Sequence, residues 1–306
     1  MTRVAAIDCG TNSIRLLVAD VDGGRLHDLA REMRVVRLGQ DVDRTGRLAP
    51  EAIERTITAL RDYAATITSL GATAVRMVAT SASRDASNRD DFVRAVVQVL
   101  GLGPDVISGD EEAALSFAGA TSGLPADGAP YLVLDIGGGS TELVLGTAAP
   151  EASLSVDVGC VRLTERHLHD DPPTREQIGS ATVDIEAALD RVASVVPVSE
   201  AQTLVGVAGS VTTVAAVALG LDRYDPARIH HTRLNRDEVR KTTDSLLGMT
   251  RAERAALPVM HPGRVDVIGA GALVLATTME RFAIDDVLVS EHDILDGIAL
   301  SAAGLA

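Results

Sequence analysis

The chain has 306 residues, of which 46% are hydrophobic and only 2% aromatic, and it carries a formal net charge of −15. That length suits two domains of roughly 100–200 residues with aliphatic cores. The acidic balance opposes nucleic-acid phosphates, the few aromatic rings offer little on which to stack bases, and no apolar run of about 18 residues suggests a membrane span. Residues 1–21 and 25–38 alternate or run apolar as strands, with Asp22-Gly23-Gly24 as the turn between them. From Pro50 to Leu70 the period changes: Ile53, Ile57, Leu60, Ala64 and Ile67 recur at helical spacing. Val75–Ala86 reads as a strand leading into a loop that carries Arg84. A helix near 91–100, the short strand "DVIS" and a helix from Ser108 follow. Thr121–Pro130 is rich in turn residues and has no period, so a first domain is expected over 1–122 and a second over 123–306. The second domain reads as strand–turn–strand over 131–158, a helix at 174–194, a strand and loop at 203–213, helices near 236–247 and 264–281, and a strand at 286–290. A final helix, about 292–306, is expected to pack back on the first domain.

Two stretches share one construction. In "AIDCGTNSIRLLVAD", Asp8, Gly10, Ser13 and Leu16 occupy the places of Asp135, Gly137, Ser140 and Leu143 in "LDIGGGSTELVLG", 127 positions on. At one polar position the copies differ in sign, with Arg15 in the first and Glu142 in the second. This is the mark of a duplicated domain whose halves do different work. Glycine-and-hydroxyl turns between strands present backbone N–H groups to anions, and "GVAGSVTT" reads as a third. Familiar nucleotide loops are excluded. Lys241 is the sole lysine among 28 basic residues and no GxxxxGK[ST] occurs, while "STELVLG" after Gly139 continues as a strand rather than a Rossmann helix.

"SGDEEAAL" has a structural reading in which Ser108 caps a helix and Glu111 closes a capping box. That account leaves Glu112 without a structural task. Cys9 and Cys160 lack ligand spacing and read as small buried hydrophobes in a reducing compartment, hence a cytoplasmic protein. His167 and His169 are expected on a surface loop, and no histidine metal site is supported.

The motifs "DCGTNSIRLLVA", "ATSASRDASN", "SGDEEAALSFAG", "LDIGGGSTELVLG", "GVAGSVTT" and "YDPARIHH" together resemble the exopolyphosphatase and guanosine pentaphosphate phosphohydrolase family, within the actin, Hsp70 and sugar-kinase superfamily. The resemblance implies an α/β fold of two ribonuclease H-like domains facing across a cleft. It implies Mg²⁺ and removal of a terminal phosphate from inorganic polyphosphate or, alternatively, pppGpp; a sugar or acyl kinase or an actin-like nucleotide switch is the reading from another class. In this pattern the Glu before Ala is catalytic, which is Glu112. Asp135 and Glu142 then hold the metal, with Glu142 also orienting water. Thr11, Asn12, Ser13, Gly137, Gly138, Gly139, Ser140, Thr141, Gly209 and Ser210 cradle phosphate, and Arg15 and Arg84 grip it with two-pronged hydrogen bonds. Members of this size resemble homodimers.

The chain departs from the family in two places. Ile294-Leu295-Asp296-Gly297 stands where relatives commonly have Leu-Arg-Glu-Gly, and Ala208 stands where a glycine is frequent. With scattered arginines and no basic run, a preference for short or medium polyphosphate chains is expected.

Overall fold

A computed structural model describes residues 2–305, which divide into two compact units. The first comprises the residues up to Gly123 together with the segment from His292 onward; the second runs from Leu124 to Glu291.

In the first unit, β1 (Thr2–Cys9), β2 (Ser13–Asp22) and β3 (Arg25–Val35) form an antiparallel meander. The short α1 (Val42–Thr45) and the long α2 (Pro50–Leu70) precede β4 (Ala74–Ala79), which pairs parallel to β1. Then come α3 (Ser81–Asp85), α4 (Arg89–Leu100), β5 (Asp105–Val106), parallel to β4, and α5 (Gly109–Thr121). The sheet order is β3-β2-β1-β4-β5. The middles of β1 (Val4–Ile7) and β2 (Leu16–Ala19) are continuously apolar because both faces are covered. Ala5, Ile7 and Cys9 of β1, with Ile14, Leu16 and Val18 of β2, pack with Ile57, Leu60 and Tyr63 of α2 and with Phe92 of α4. The alternate residues Val4, Ala6, Leu17 and Ala19 pack with Leu115 of α5 and Ile294, Leu295 and Ile298 of the C-terminal helix.

The second unit repeats the plan. Strands β6 (Tyr131–Ile136), β7 (Thr141–Gly146) and β8 (Pro150–Val156) form the meander, followed by α6 (Cys160–His167) and α7 (Arg175–Val195). Strand β9 (Thr203–Val207) runs parallel to β6 and leads into α8 (Ala208–Ala218). After α9 (Pro226–Ile229) come β10 (Arg233–Asn235), α10 (Arg236–Gly248), α11 (Arg251–Ala255), α12 (Ile268–Arg281) and β11 (Asp286–Val289). The chain returns to the first unit as α13 (Ile294–Ala302). The second sheet is ordered β10-β11-β9-β6-β7-β8. Thus β8-β7-β6-β9 matches β3-β2-β1-β4 strand for strand, the duplication expected from the two Asp–Gly–Ser stretches. Among the described residues no helix is long and apolar enough to cross a membrane.

Several local expectations are corrected. Arg84 lies on the short helix α3 rather than in a loop. "GVAGSVTT" is a strand entering a helix directly, not a turn between two strands. His167 closes α6, where its Nε2 lies 2.7 Å from Asp184 Oδ2, rather than standing on a surface loop. Strand β3 stops at Val35, short of 38, because the chain then folds back onto the β1–β2 turn: Val36 and Arg37 N–H donate to Asn12 O, and Gly39 N–H to Thr11 O.

Candidate functional site

In the first unit the turn joining β1 to β2 is closed by Gly10 N–H donating to Ser13 O at 3.0 Å. The carbonyls of Thr11 and Asn12 are taken by the segment after β3, at 2.8 Å from Gly39 and at 3.0 and 2.8 Å from Val36 and Arg37. The Thr11 hydroxyl is buried and lies 2.8 Å from that of Ser81, the first residue of α3. The carbonyls are therefore anchored toward the protein, while the N–H groups of Thr11 and Asn12 donate to no backbone acceptor among the described residues. Such a turn is a nest for an anion.

Arg15 and Asp8 are directly opposite in the β1–β2 register, so their side chains share one face. The Arg15 Nε and Nη2 groups both donate to Asp8 Oδ2, at 2.9 and 2.7 Å, and Nη1 donates to Asp293 Oδ2. Burial pushes the Asp8 carboxyl above its ordinary range despite the neighbouring Arg15. Burial acts the same way on Asp293, but the charge and hydrogen bond of Arg15, the Leu295 amide and Arg31 outweigh it and hold that carboxyl low.

On α5, Ser108 caps as expected, its side chain accepting from Glu111 N–H. The reciprocal half of the box is absent: the Glu111 carboxylate accepts instead from Arg76 Nη2 at 2.6 Å and points outward. Glu112, one residue on, is 8% exposed, and its Oε2 accepts from Arg84 Nη1 at 3.0 Å. The same Nη1 reaches Ile107 O at 3.1 Å, fixing Arg84 against the body of the unit. The adjacent acids thus face opposite environments, and Glu112 is the buried one.

In the second unit the β6–β7 turn repeats the closure: Gly137 N–H donates to Ser140 O at 3.0 Å. Its carbonyls are again taken from behind, here by the start of α6. Cys160 N–H donates to Gly137 O at 3.0 Å, Val161 N–H to Gly138 O at 2.9 Å, and Arg162 Nε to Gly139 O at 2.8 Å. Gly159 lets this approach occur, since a Cβ there would sit 2.3 Å from Gly138 O. The N–H groups of Gly138 and Gly139 donate to no backbone acceptor among the described residues. Asp135 and Glu142 stand directly opposite in register, where the first unit has Asp8 and Arg15. Both are buried, and Glu142 Oε1 accepts from the Ser155 hydroxyl at 2.7 Å. Thr141 turns away from the turn, its hydroxyl donating to Val158 O.

The third segment is held differently. Ala208, at the β9–α8 junction, has φ 67°, a left-handed backbone that favours glycine. Gly209 O accepts from Arg264 Nη1 at 2.9 Å, and a Cβ on Gly209 would lie 2.1 Å from the Arg264 guanidinium carbon. Ser210 is packed on Gly271 of α12, whose hypothetical Cβ would meet the Ser210 hydroxyl at 2.2 Å. Near the β11 end, His230 and His231 rings stack at 3.7 Å, and Glu291 N–H donates to His230 Nδ1 at 3.2 Å. Both cysteines are buried and free, and burial pushes their thiols up, away from reactivity.

In the first unit Thr11, Asn12 and Ser13 form the turn with Arg15 just beyond it, and Arg84 and Glu112 pair with each other; in the second, Asp135 and Glu142 flank the Gly137–Ser140 turn. Sequence reasoning missed Arg264 and Asp293. Arg264 follows Pro262-Gly263, a turn signal immediately before the apolar α12, and that was its only trace.

Among known proteins, the description of the Ppx/GppA phosphatase family matches residues 17–305. The chain is 55% identical over 317 residues to Exopolyphosphatase 2 of Mycobacterium tuberculosis, covering 99% of both chains. Among solved structures it is similar to an exopolyphosphatase-like protein, at 45% identity and TM-score 0.96 over 100% of both chains. It is also similar to a Ppx/GppA family member of Aquifex aeolicus, at 33% identity and TM-score 0.82 over 99% of this chain and 97% of the other.

Proposed function

This chain belongs to the Ppx/GppA phosphatase family, and from that premise we propose that it is a magnesium-dependent exopolyphosphatase, releasing terminal orthophosphate from inorganic polyphosphate. The observation that carries the reading is the second glycine turn, with Asp135 and Glu142 buried and directly opposite each other beside the Gly138 and Gly139 N–H groups, which donate to no backbone acceptor among the described residues. Two carboxylates facing one another repel unless a cation sits between or beside them. They are hard oxygen donors. That donor set fits Mg²⁺, which takes one or two carboxylates and keeps several waters. When bound, the ion would neutralise charge on the phosphate and its leaving group.

The chain's own residues supply the rest. The N–H groups of the two turns bind phosphate oxygens, and Arg15 and Arg84 donate to them as charge-assisted partners. As water oxygen attacks the terminal phosphorus, the bridging P–O bond to the rest of the chain breaks and the water proton passes to Glu112. Arg84 Nη1 holds Glu112 Oε2 in a fixed orientation for that transfer. Glu142, anchored by Ser155, would hold the metal together with Asp135 and is the candidate for orienting a water on it. The same reading takes the enzyme to be a cytoplasmic homodimer, the assembly being testable by sedimentation. The deciding experiment is phosphate release from polyphosphate, pppGpp and ATP with no acceptor present. Rapid release from polyphosphate supports the proposal, release from pppGpp alone reassigns the substrate, and phosphate transfer only with an added acceptor would indicate a kinase.

A further inference from the structure

The charged group at the base of the first turn is more elaborate than phosphate binding by one arginine requires. Asp8, Asp293 and Asp296 are all at most 5% exposed, and they surround Arg15 and Arg31. Asp293 divides its carboxylate between two tasks. Oδ1 accepts from Leu295 N–H at 3.0 Å and caps α13, while Oδ2 accepts from Arg15 Nη1. Asp296 closes the cap from the other side, accepting from Asp293 N–H at 3.1 Å, and is itself held by Arg31 Nη2 at 2.6 Å. The start of α13 is thereby tied to β2 through Arg15 and to β3 through Arg31. The same helix meets α5, which carries Glu112, backbone to backbone: a Cβ on Gly119 would lie 1.8 Å from Asp293 O.

Of the five N–H groups of a guanidinium, Arg15 gives two to Asp8 and one to Asp293, leaving two. We propose that Asp293 is a positioning residue for substrate binding: it clamps the Nη1 side of Arg15 while Asp8 holds the Nε–Nη2 side, so that the remaining N–H groups meet a phosphate oxygen in one fixed orientation. The inference rests on the functional reading above, in which Arg15 binds substrate phosphate.

Two effects of removing Asp293 oppose each other, and their sign decides the matter. A buried negative charge beside a polyanion site repels substrate, so simple electrostatics requires KM to fall when it is removed. Loss of a clamp instead leaves a long side chain to be ordered by the substrate itself, which raises KM by roughly twofold to tenfold. Asp293→Ser is the informative variant, because serine caps a helix about as well as aspartate but is too short to reach Arg15. Asp293→Asn, which keeps both the cap and the reach with a neutral acceptor, should fall between it and the wild type and covers a failure of the serine variant to fold. Initial rates on polyphosphate of defined length with Mg²⁺ should show KM rising in the order wild type, Asn, Ser, with kcat within about twofold and both variants still folded at the assay temperature. In an Arg15→Gln background Asp293→Ser should move KM no further. An active wild type whose KM is unchanged or lowered in the variants, or whose Arg15 and Asp293 effects simply add, overturns this inference alone. A wild type that releases no phosphate from polyphosphate overturns the functional reading and takes this inference with it.

Discussion

Gly297→Ala should be among the most damaging single methyl additions in the first unit. A Cβ at position 297 would lie 1.9 Å from Leu115 O, 2.7 Å from its carbonyl carbon and 3.1 Å from its Cα, all backbone atoms that no rotamer can move. Reaching an ordinary contact of 3.4 Å from 1.9 Å requires α13 and α5 to part by about 1.5 Å. That gap would open the layer in which Ile294, Leu295, Ile298 and Ala299 pack with Val4, Ala6, Leu17, Ile107 and Leu115. Gaps of 0.5–1 Å already forfeit about a quarter to a half of each dispersion contact, and overpacking generally costs about 1–3 kcal/mol. A rigid backbone clash places this variant at the upper end, about 3 kcal/mol. Because α5 carries Glu112, turnover should fall as well. The control is Gly179→Ala in α7, where nothing lies within 4 Å of the added Cβ; there alanine should stabilise by roughly 0.5–1 kcal/mol. Thermal and denaturant unfolding of the two variants against the wild type provide the assay. A Gly297→Ala protein as stable as the wild type, or less affected than Gly179→Ala, would refute the packing argument.

Glu112→Gln should lower phosphate release by roughly 10²- to 10⁴-fold with folding retained, whereas Glu111→Gln, which loses only its surface pair with Arg76, should keep near-normal turnover and lose at most about 1 kcal/mol; the reverse ranking in a rate assay refutes the division of labour. Ala208→Gly should stabilise by about 0.5–1 kcal/mol, because a left-handed backbone costs a non-glycine residue roughly 1–2 kcal/mol and glycine's extra chain entropy returns part of that; a lowered denaturation midpoint would contradict the φ of 67°. The Asp293 carboxyl, held below its ordinary 3.8 in the folded chain, contributes stability above that pH and loses it as the pH falls further. Wild-type stability should therefore drop more steeply below about pH 4 than that of Asp293→Asn, and parallel acid limbs would exclude the contribution.

The duplicated plan was legible because its signal is local and repeated. Asp8 and Asp135 end buried strands, Gly10 and Gly137 begin turns, and the antiparallel partners follow within a few residues. The α2 helix was readable from its apolar period, with bounds that match Pro50–Leu70. What the sequence hid were contacts made at long range. Glu111 and Glu112 look alike in a first turn, and only the distant Arg76 and Arg84 distinguish the outward acid from the inward one. Likewise, nothing in the sequence signalled that Ser210 packs on Gly271 or that the Thr141 hydroxyl donates to Val158 O, both set by tertiary packing. Asp296 lies in Ile294–Gly297, read from the sequence as a departure from Leu-Arg-Glu-Gly, and Asp293 just before it drew no notice; in the structure Asp296 pairs with Arg31 and Asp293 with Arg15.

The central claim is that the Asp135–Glu142 pair serves phosphoanhydride hydrolysis with Mg²⁺. It is tested most directly by orthophosphate release from polyphosphate in the absence of any acceptor, measured across a magnesium titration for the wild type, Asp135→Asn and Glu142→Gln. The account predicts steady release by the wild type, its loss in excess chelator, and a magnesium requirement shifted upward or abolished in both variants. Full wild-type activity in chelator, or variants whose magnesium response superimposes on that of the wild type, would contradict it.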